Sequence, residues 1–336
     1  MTQKTARYKK LFADFSKLKV LIIGDVMVDS YLWGKVERIS PEAPIPIVAL
    51  RKREYRLGGA SNVALNVRAL GAYPILCSVI GEDDKGDRFM DLLEREKIGT
   101  NHILRSSDRI TTTKFRIFGN NHQMLRVDEE VEHKLNSSDN RLLLDRISES
   151  IRSGEVDCII FQDYDKGVIT PGLIKEVTAL AKEKGIPVAV DPKKKNFLEY
   201  HGVTLFKPNL KELKEGLKLN ADLSDPTSVI SAAQTLMNKL DCPYVLVTLS
   251  DRGVLISMRD AVSDRNISIP AHIRSIADVS GAGDTVISVA SLCLAKGCSP
   301  YEVAYISNLA GGLVCEEVGV VPVSREKLLK EVISLL

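Results

Sequence analysis

The sequence predicts an α/β protein: a central, mostly parallel β-sheet flanked by helices, with a small accessory sheet added to it. Three observations lead there. Apolar runs of strand length recur along the chain, and most lead into a helical pattern, which is the rhythm of a parallel sheet with helical crossovers. Proline and glycine stand at the start and end positions of the intervening helices, where their backbone preferences suit them. Two further stretches break the rhythm with alternating apolar residues and turn signals.

Taken in order, residues 1–17 (MTQKTARYKKLFADFSK) form an N-terminal extension, and the folded domain is expected over 18–336. The strand-length runs are VLIIG (20–24), ILCSVIG (75–81), DCIIF (157–161), PVAVD (187–191) and YVLVTL (244–249). Helices are expected over 59–70 after Gly58, over 171–184 between Pro171 and Gly185, and over 226–240 from Pro226. The segment from Gly281 to Leu336 reads as helical, punctuated by Pro300 and Pro322. Residues 30–51 combine Pro41, Pro44 and Pro46 with the short strand IPIVAL, and 111–128 alternates as TTTKFRIFGNNHQMLRVD around a GNN turn. We read both as strands of a lid over the C-terminal edge of the sheet, although an edge hairpin without a role would look the same. No repeat or low-complexity linker divides the chain, so the lid belongs to one domain.

Composition narrows the function classes. The 46 Lys and Arg against 44 Asp and Glu leave a net charge of +2, with the two signs interspersed, which argues against nucleic acid or an anionic membrane as the main partner. Aromatic residues at 5% offer few stacking platforms for single strands. The basic start lacks the apolar stretch of a secretory leader, and no run approaches the roughly 18 apolar residues of a membrane span. The six cysteines lie in apolar segments without CxxC spacing and read as buried thiols of a reducing, cytoplasmic compartment. The N-x-S/T triplets at Asn136 and Asn266 match a glycosylation pattern that means nothing without export.

The most informative segment is DVSGAGDT, Asp278 to Thr285, followed by an apolar helical run. Glycines before a helix let amide N–H groups converge on an anion, and the helix dipole adds to their pull. Asp284 falls one residue after Gly283, in the first turn, where a carboxylate also suits the dipole without any further role. An anion cradle beside a carboxylate fits phosphoryl transfer. The amides of Gly281, Ala282 and Gly283 would hold charge on phosphate oxygens while Asp284 takes the proton of the attacking hydroxyl.

This segment resembles the C-terminal signature D-x-x-G-A-G-D of the ribokinase (PfkB) family of sugar kinases. The family's other signature resembles GGASNVALNVRALGA at 58–72, with Gly81 at the end of the next strand. The resemblance runs from about Leu18 to about Pro322 and implies a ribokinase-like fold, a mostly parallel sheet with a small β lid. GDVMVDSYLWGKVERISPEAPIPIV (24–48), TTTK (111–114), QMLRVD (123–128), DYDKG (163–167) and DPK (191–193) resemble the heptose-phosphate kinase subgroup in particular. That likeness implies ATP-dependent phosphorylation of the anomeric hydroxyl of D-glycero-D-manno-heptose 7-phosphate, on the way to ADP-heptose for lipopolysaccharide. Relatives in the subgroup are fused to a nucleotidyltransferase bearing HxGH; the five histidines here form no HxGH, so kinase activity alone is expected.

Candidate residues follow. A polyhydroxylated acceptor needs short carboxylates and amides, with glycines that let it approach the backbone. Asp25, Asp29, Gly58, Gly59 and Asn62 suit those roles, and turn capping would explain the same residues. An acceptor already carrying phosphate needs a distant cation, for which Lys114, Arg116 and Arg126 stand at alternating strand positions that also suit a solvated face. On the donor side, the resemblance assigns Asn209, Leu210, Lys211 and Glu212 of KPNLKE to ATP and its Mg2+, the Asn and Glu acting mainly through metal-bound water. The same Asn-x-x-Glu spacing matches a capping box. Thr248 and Gly253 of TLSDRG resemble the nucleotide-phosphate turn, and Asn308 is a further candidate for the base pocket. Lys193 stands just past a strand end where the donor would lie, and Asp163 in DYDKG could hold metal, although ordinary polar turns and charge clusters read alike. The resemblance leaves room for a monovalent cation. No GxxxxGK[ST] or GxGxxG is present, which excludes a P-loop and a dinucleotide fingerprint. Kinases for other sugars, and a binding regulator without turnover, are the competing readings. The exposed lid edges lead us to expect a homodimer through the lid.

Overall fold

The computed structural model describes residues 3–220, 222–259, 265–272 and 274–335. Thirteen strands are found among them. They are β1 (Lys19–Gly24), β2 (Val26–Ile39), β3 (Pro46–Gly59), β4 (Tyr73–Gly81), β5 (Ile103–Ser106), β6 (Thr113–Gly119), β7 (His122–Glu129), β8 (Cys158–Gln162), β9 (Val188–Asp191), β10 (Leu205–Phe206), β11 (Tyr244–Thr248), β12 (Val254–Met258) and β13 (Arg265–Ile269). The helices are α1 (Gln3–Asp14), α2 (Ala60–Ala69), α3 (Asp84–Arg95), α4 (Ser137–Arg152), α5 (Pro171–Lys184), α6 (Leu210–Gly216), α7 (Pro226–Leu240), α8 (Ala282–Ala295), α9 (Pro300–Val314) and α10 (Arg325–Leu335).

Nine strands form one sheet in the order β13-β12-β11-β10-β9-β8-β1-β4-β5. It is parallel from β5 to β11, and β12 and β13 add an antiparallel edge. The β1 strand shows why the runs are continuously apolar. Val20 and Ile22 join the core under α2, α8 and α9, while Leu21 and Ile23 join the one under α4, α5 and α7. A strand covered on both faces has no polar side to offer. Helix starts follow local chemistry. Thr170 and Asp225 cap α5 and α7 through their side chains, each with proline in the first turn, and Gly185 ends α5 in the left-handed region.

The lid is a four-stranded sheet in the order β3-β2-β6-β7. Its hairpin turns at Asn120 and Asn121, whose φ values of 52° and 67° are those of the tight turn that asparagine tolerates. Pro46 is the first residue of β3, the position where a missing N–H does no harm. The first lid stretch is longer than the expected 30–51, because β2 and β3 run as 14-residue partners from the pairing of Val26 with Gly59 outward. Both thus continue the central domain into the lid without a break. Trp33 and Phe118 stack across β2 and β6 at 4.2 Å between centroids.

The N-terminal extension is part of the packed structure. Tyr8, Phe12 and Phe15 are buried in the core, and Arg325 at the start of α10 donates to the Phe12 carbonyl at 2.7 Å. Asn136 serves as N-cap of α4. The six cysteines are free thiols, with five buried and Cys298 half-buried. Among the described residues no helix is long and apolar enough to cross a membrane.

Candidate active site

Parallel strands of an open α/β sheet present ligands at their carboxyl ends, where neighbouring connections run in opposite directions. Here that point lies between β1, whose chain continues to β4, and β8, which lies on its other side. Asp25, Gln162 and Asp191 stand at the ends of β1, β8 and β9, with Lys207 just past β10, and α8 points its N-terminus at them.

Gly281 caps α8 with φ of 80° and ψ of 0°, a left-handed conformation open to glycine without strain. A Cβ there would also come within 2.9 Å of the Asn62 amide nitrogen. The first helical hydrogen bond runs from the Thr285 amide to the Gly281 carbonyl. The Gly281 and Gly283 amides have no acceptor among the described residues, whereas the Ala282 amide donates to the Val279 carbonyl at 3.3 Å. Two of the three expected cradle amides are thus free and the third is shared.

Asp284 is 6% exposed. Its Oδ2 accepts from Asn62 Nδ2 at 2.7 Å, and its Oδ1 accepts from Tyr164 Oη at 2.8 Å and Gln162 Nε2 at 3.1 Å. A carboxylate has about four lone-pair directions, so one on Oδ2 is left for an incoming hydroxyl. Burial pushes the Asp284 carboxyl up to about 6, and Asp191 adds to this, while the bonds from Asn62 and Tyr164 and the charge of Lys207 oppose it. The group is therefore ionised at neutral pH yet basic enough to take a proton. Asn62 is itself held by Asn66, whose Nδ2 donates to the Asn62 carbonyl at 3.0 Å and whose Oδ1 accepts from Thr285 Oγ1 at 3.1 Å. That clasp fixes α2 against α8. The ion pair of Lys207 with Asp191 at 3.0 Å is almost fully buried. A Cβ on Gly283 would lie 3.6 Å from Lys207 Nζ, so this ammonium flanks the cradle.

On the acceptor side, Asp25, expected to contact the sugar, is engaged by backbone. Its carboxylate is buried and accepts the backbone amides of Tyr164 (2.8 Å), Lys166 (3.2 Å) and Val168 (3.1 Å), so it shapes the loop after β8. Burial, helped by the charge of Asp163, raises its carboxyl to about 6 against the pull of those amides. Asp29 is ion-paired with Arg116. Gly58 sits where a Cβ would meet Asp29 Oδ2 at 2.5 Å, and Gly59 has φ of 62° at the start of α2. The structure brings the three lid cations together. Arg116 faces Arg126 across β6 and β7, and Lys114 lies two residues along the same face. Arg126 pairs with Asp128 at 3.0 Å. Three cations against two carboxylates, with two arginines directly opposed, leave a positive surplus that costs stability unless an anion joins it. Burial lowers the Lys114 ammonium, with Asp29 and Asp128 opposing.

On the donor side, a cleft of about 810 Å³ is lined by Asn209, Leu210, Lys211, Thr248, Gly253 and Asn308, and reaches Ala282 and Gly283 at the cradle. Six of the eight predicted donor residues therefore share one cavity, and Glu212 and Lys193 are outside its lining. Asn209 and Glu212 form a reciprocal capping box, and the second Glu212 oxygen is paired with Lys193. Asn308 is fixed by its bond to the Pro270 carbonyl at 3.0 Å. Lys193 stands outside the cleft lining, over the Tyr164 ring at 5.4 Å. Burial pulls its ammonium down, but Asp191 and Glu212 outweigh that and hold it at about 12.

The residues expected to hold metal, Asn209 and Glu212 mainly through water and Asp163, are already engaged within the fold. Glu212 has its oxygens occupied by the Asn209 amide and Lys193. Asp163 is 1% exposed and accepts from Tyr200 Oη at 2.7 Å, Asn196 Nδ2 at 3.0 Å and the Asp165 amide at 2.8 Å. The metal role suggested for Asp163 competes with a structural one, since three of its about four lone-pair directions are already taken inside the fold. Among the described residues no group of three or more His, Cys, Asp or Glu side chains converges on a metal position.

Sequence reasoning missed Gln162, Tyr164, Asp191 and Lys207 as site residues. The available signal was a polar residue ending an otherwise apolar strand, as in CIIFQ and VAVD, or directly following one, as in LFK.

The family described as pfkB family carbohydrate kinase matches residues 17–327. The chain is 37% identical over 324 residues to bifunctional protein HldE of Citrifermentans bemidjiense, covering 96% of this chain and 65% of that protein. It is 39% identical over 321 residues to bifunctional protein HldE of Granulibacter bethesdensis, covering 95% and 65%. It spans less than two thirds of the length of these relatives. Among solved structures, phosphofructokinase-2 from Escherichia coli in complex with potassium aligns with a TM-score of 0.76 at 21% identity, over 94% of this chain and 98% of that one. Arabidopsis thaliana ribokinase complexed with ribose and ATP aligns with a TM-score of 0.70 at 18% identity, over 93% and 98%. These two share the fold.

Proposed function

Because the chain belongs to the pfkB family of carbohydrate kinases, we propose that it transfers the γ-phosphoryl group of ATP to the anomeric hydroxyl of D-glycero-D-manno-heptose 7-phosphate in the cytoplasm, as a step toward ADP-heptose. The observation that carries the mechanism is Asp284 at the N-terminus of α8, with one Oδ2 direction unoccupied beside two free amides. The acceptor hydroxyl lies against Oδ2 and gives up its proton as its oxygen bonds to the γ-phosphorus. The bond from that phosphorus to the β–γ bridging oxygen breaks, and ADP leaves. The Gly281 and Gly283 amides and Lys207 stabilise charge on the transferring group. Mg2+ neutralises donor phosphate charge when bound. Asn209 and Glu212, engaged in their capping box, would reach it through metal-bound water. A monovalent cation is not required by this scheme.

The choice of heptose 7-phosphate rests on the lid. Lys114, Arg116 and Arg126 gather on one face of β6 and β7, a cluster suited to the phosphate that the acceptor already carries. It accords with identities of 37–39% to the HldE proteins. The lid also carries exposed Ile39, Leu50, Met124, Leu125 and Val127. Apolar side chains on a bare-edged sheet support a homodimer through the lid. The test is a coupled ADP-release screen over heptose 7-phosphate, fructose phosphates, ribose and nucleosides. Heptose 7-phosphate should give the highest kcat/KM; a higher value for any other acceptor overturns the substrate reading.

A further inference from the structure

Tyr164 follows the end of β8, and four observations single it out. Its backbone amide is pinned by Asp25 at 2.8 Å, and its hydroxyl donates to Asp284 Oδ1 at 2.8 Å. The Lys114 ammonium, from the lid, lies 5.5 Å from its ring centroid, and that of Lys193, beside the donor-side Glu212, lies 5.4 Å away. A tyrosine kept for packing alone would set its ring against apolar neighbours. This ring has two cations, whose attraction to its face ties the position of the side chain to both sides of the site.

We propose that Tyr164 is a positioning residue for the transfer: its hydroxyl holds the Asp284 carboxylate aimed and ionised, while its ring seats the lid lysine and the donor-side lysine. The proposal rests on the reading of Asp284 as base. With Oδ1 taken by Tyr164 and Gln162 and one side of Oδ2 by Asn62, the carboxylate cannot rotate without breaking a bond. The remaining Oδ2 direction is thereby fixed toward the acceptor. The groups facing Asp284 are Asn62 from α2, Gln162 and Tyr164 from the end of β8, Asp191 from β9, Lys193 just past β9 and Lys207 after β10. Asp191 favours the protonated form, and Asn62, Tyr164, Lys207 and the nearby Lys193 favour the ionised one. Removing the Tyr164 donor must therefore raise the pH at which the base loses its proton.

The test is Tyr164→Phe, which keeps the ring and both ammonium contacts. The acid limb of kcat/KM against pH should move up by roughly one unit, a tenfold change in proton affinity. Above the limb, kcat should fall roughly tenfold while KM for ATP stays within about twofold. A structural role alone would lower Tm and leave the limb in place. If Tyr164→Phe folds poorly, 3-fluorotyrosine at the same position keeps the shape and donates more strongly, and the limb should then stay or move down. An unmoved limb with kcat within about twofold of wild type overturns the proposal, as does an upward shift with the fluorinated residue. Asp284→Asn run in parallel separates the two levels. Near wild-type turnover there removes the base and this proposal with it, while loss of turnover beside an unaffected Tyr164→Phe overturns only the role of Tyr164.

Discussion

Replacing Asp284 by Asn should slow the enzyme and at the same time stabilise it in a pH-dependent way. The catalytic half is direct: without a base, turnover should fall by roughly 10² to 10⁴. The stability half follows from burial. The Asp284 carboxyl is pushed up from 3.8 to about 6 in the folded protein, so between those values the folded state binds the proton more tightly than the unfolded one. Stability from this group is therefore lost as pH rises from about 4 to about 6, and the cost is fully present above. A displacement of about two units at 1.36 kcal/mol each sets an upper bound of roughly 3 kcal/mol. Asn carries no charge and escapes that cost. Its own amide would face Asn62 Nδ2, donor against donor, which subtracts an amount that does not change with pH. The pH slope is the clean readout. Urea denaturation of both proteins from pH 4.5 to 8 should show the stability of the variant relative to wild type rising until about pH 7 and then levelling. Asp25, also raised to about 6, contributes to both proteins and cancels. A difference that is flat, or that falls with pH, refutes the claim that Asp284 is held ionised at a cost to the fold.

Arg126→Ala should weaken a phosphorylated acceptor far more than its dephosphorylated analogue, as kcat/KM for the two will show; equal losses make the side chain structural. Arg116→Ala should show the same preference and also lower Tm, because it leaves the buried Asp29 unpaired. Lys207→Met strands Asp191 in the same way, and chemical denaturation should register a loss of roughly 3 to 5 kcal/mol. Hydrogen exchange should show protection of 30–50 and 111–128 on adding heptose 7-phosphate but not ATP. The lid cations stand on the acceptor side, and a ligand shifts an equilibrium only through differential contacts. Protection by ATP alone contradicts that assignment.

The architecture was legible because each strand core is apolar on both faces and each crossover helix carries its own start signal. The helices at 171–184 and 226–240 end where Gly185 and Asp241 turn left-handed. The two-residue β10 is legible only as an apolar strand ahead of KPNLKE, since its register comes from β9 and β11. The cradle and base could be read from DVSGAGD because glycine before a helix has a local physical meaning. The backbone role of Asp25 is not legible locally. Its neighbours in sequence suggest a sugar ligand, and only the fold shows three amides from 164–168 arriving at its carboxylate. Asn209 and Glu212 form the capping box that their spacing allows, and Asn209 also lines the cleft. Lys207 and Asp191 lie 16 residues apart in sequence, and their pairing exists only through the adjacency of β9 and β10.

The central claim is that Asp284 deprotonates the anomeric hydroxyl of a heptose 7-phosphate and that the γ-phosphoryl group arrives there. Phosphorus NMR of the reaction with ATP tests it most directly. The account predicts that the original sugar phosphate resonance persists while one anomeric phosphate resonance grows in step with ADP, and that neither change occurs with Asp284→Asn. ADP formed without a new sugar phosphate, or a phosphate on any other hydroxyl, contradicts it.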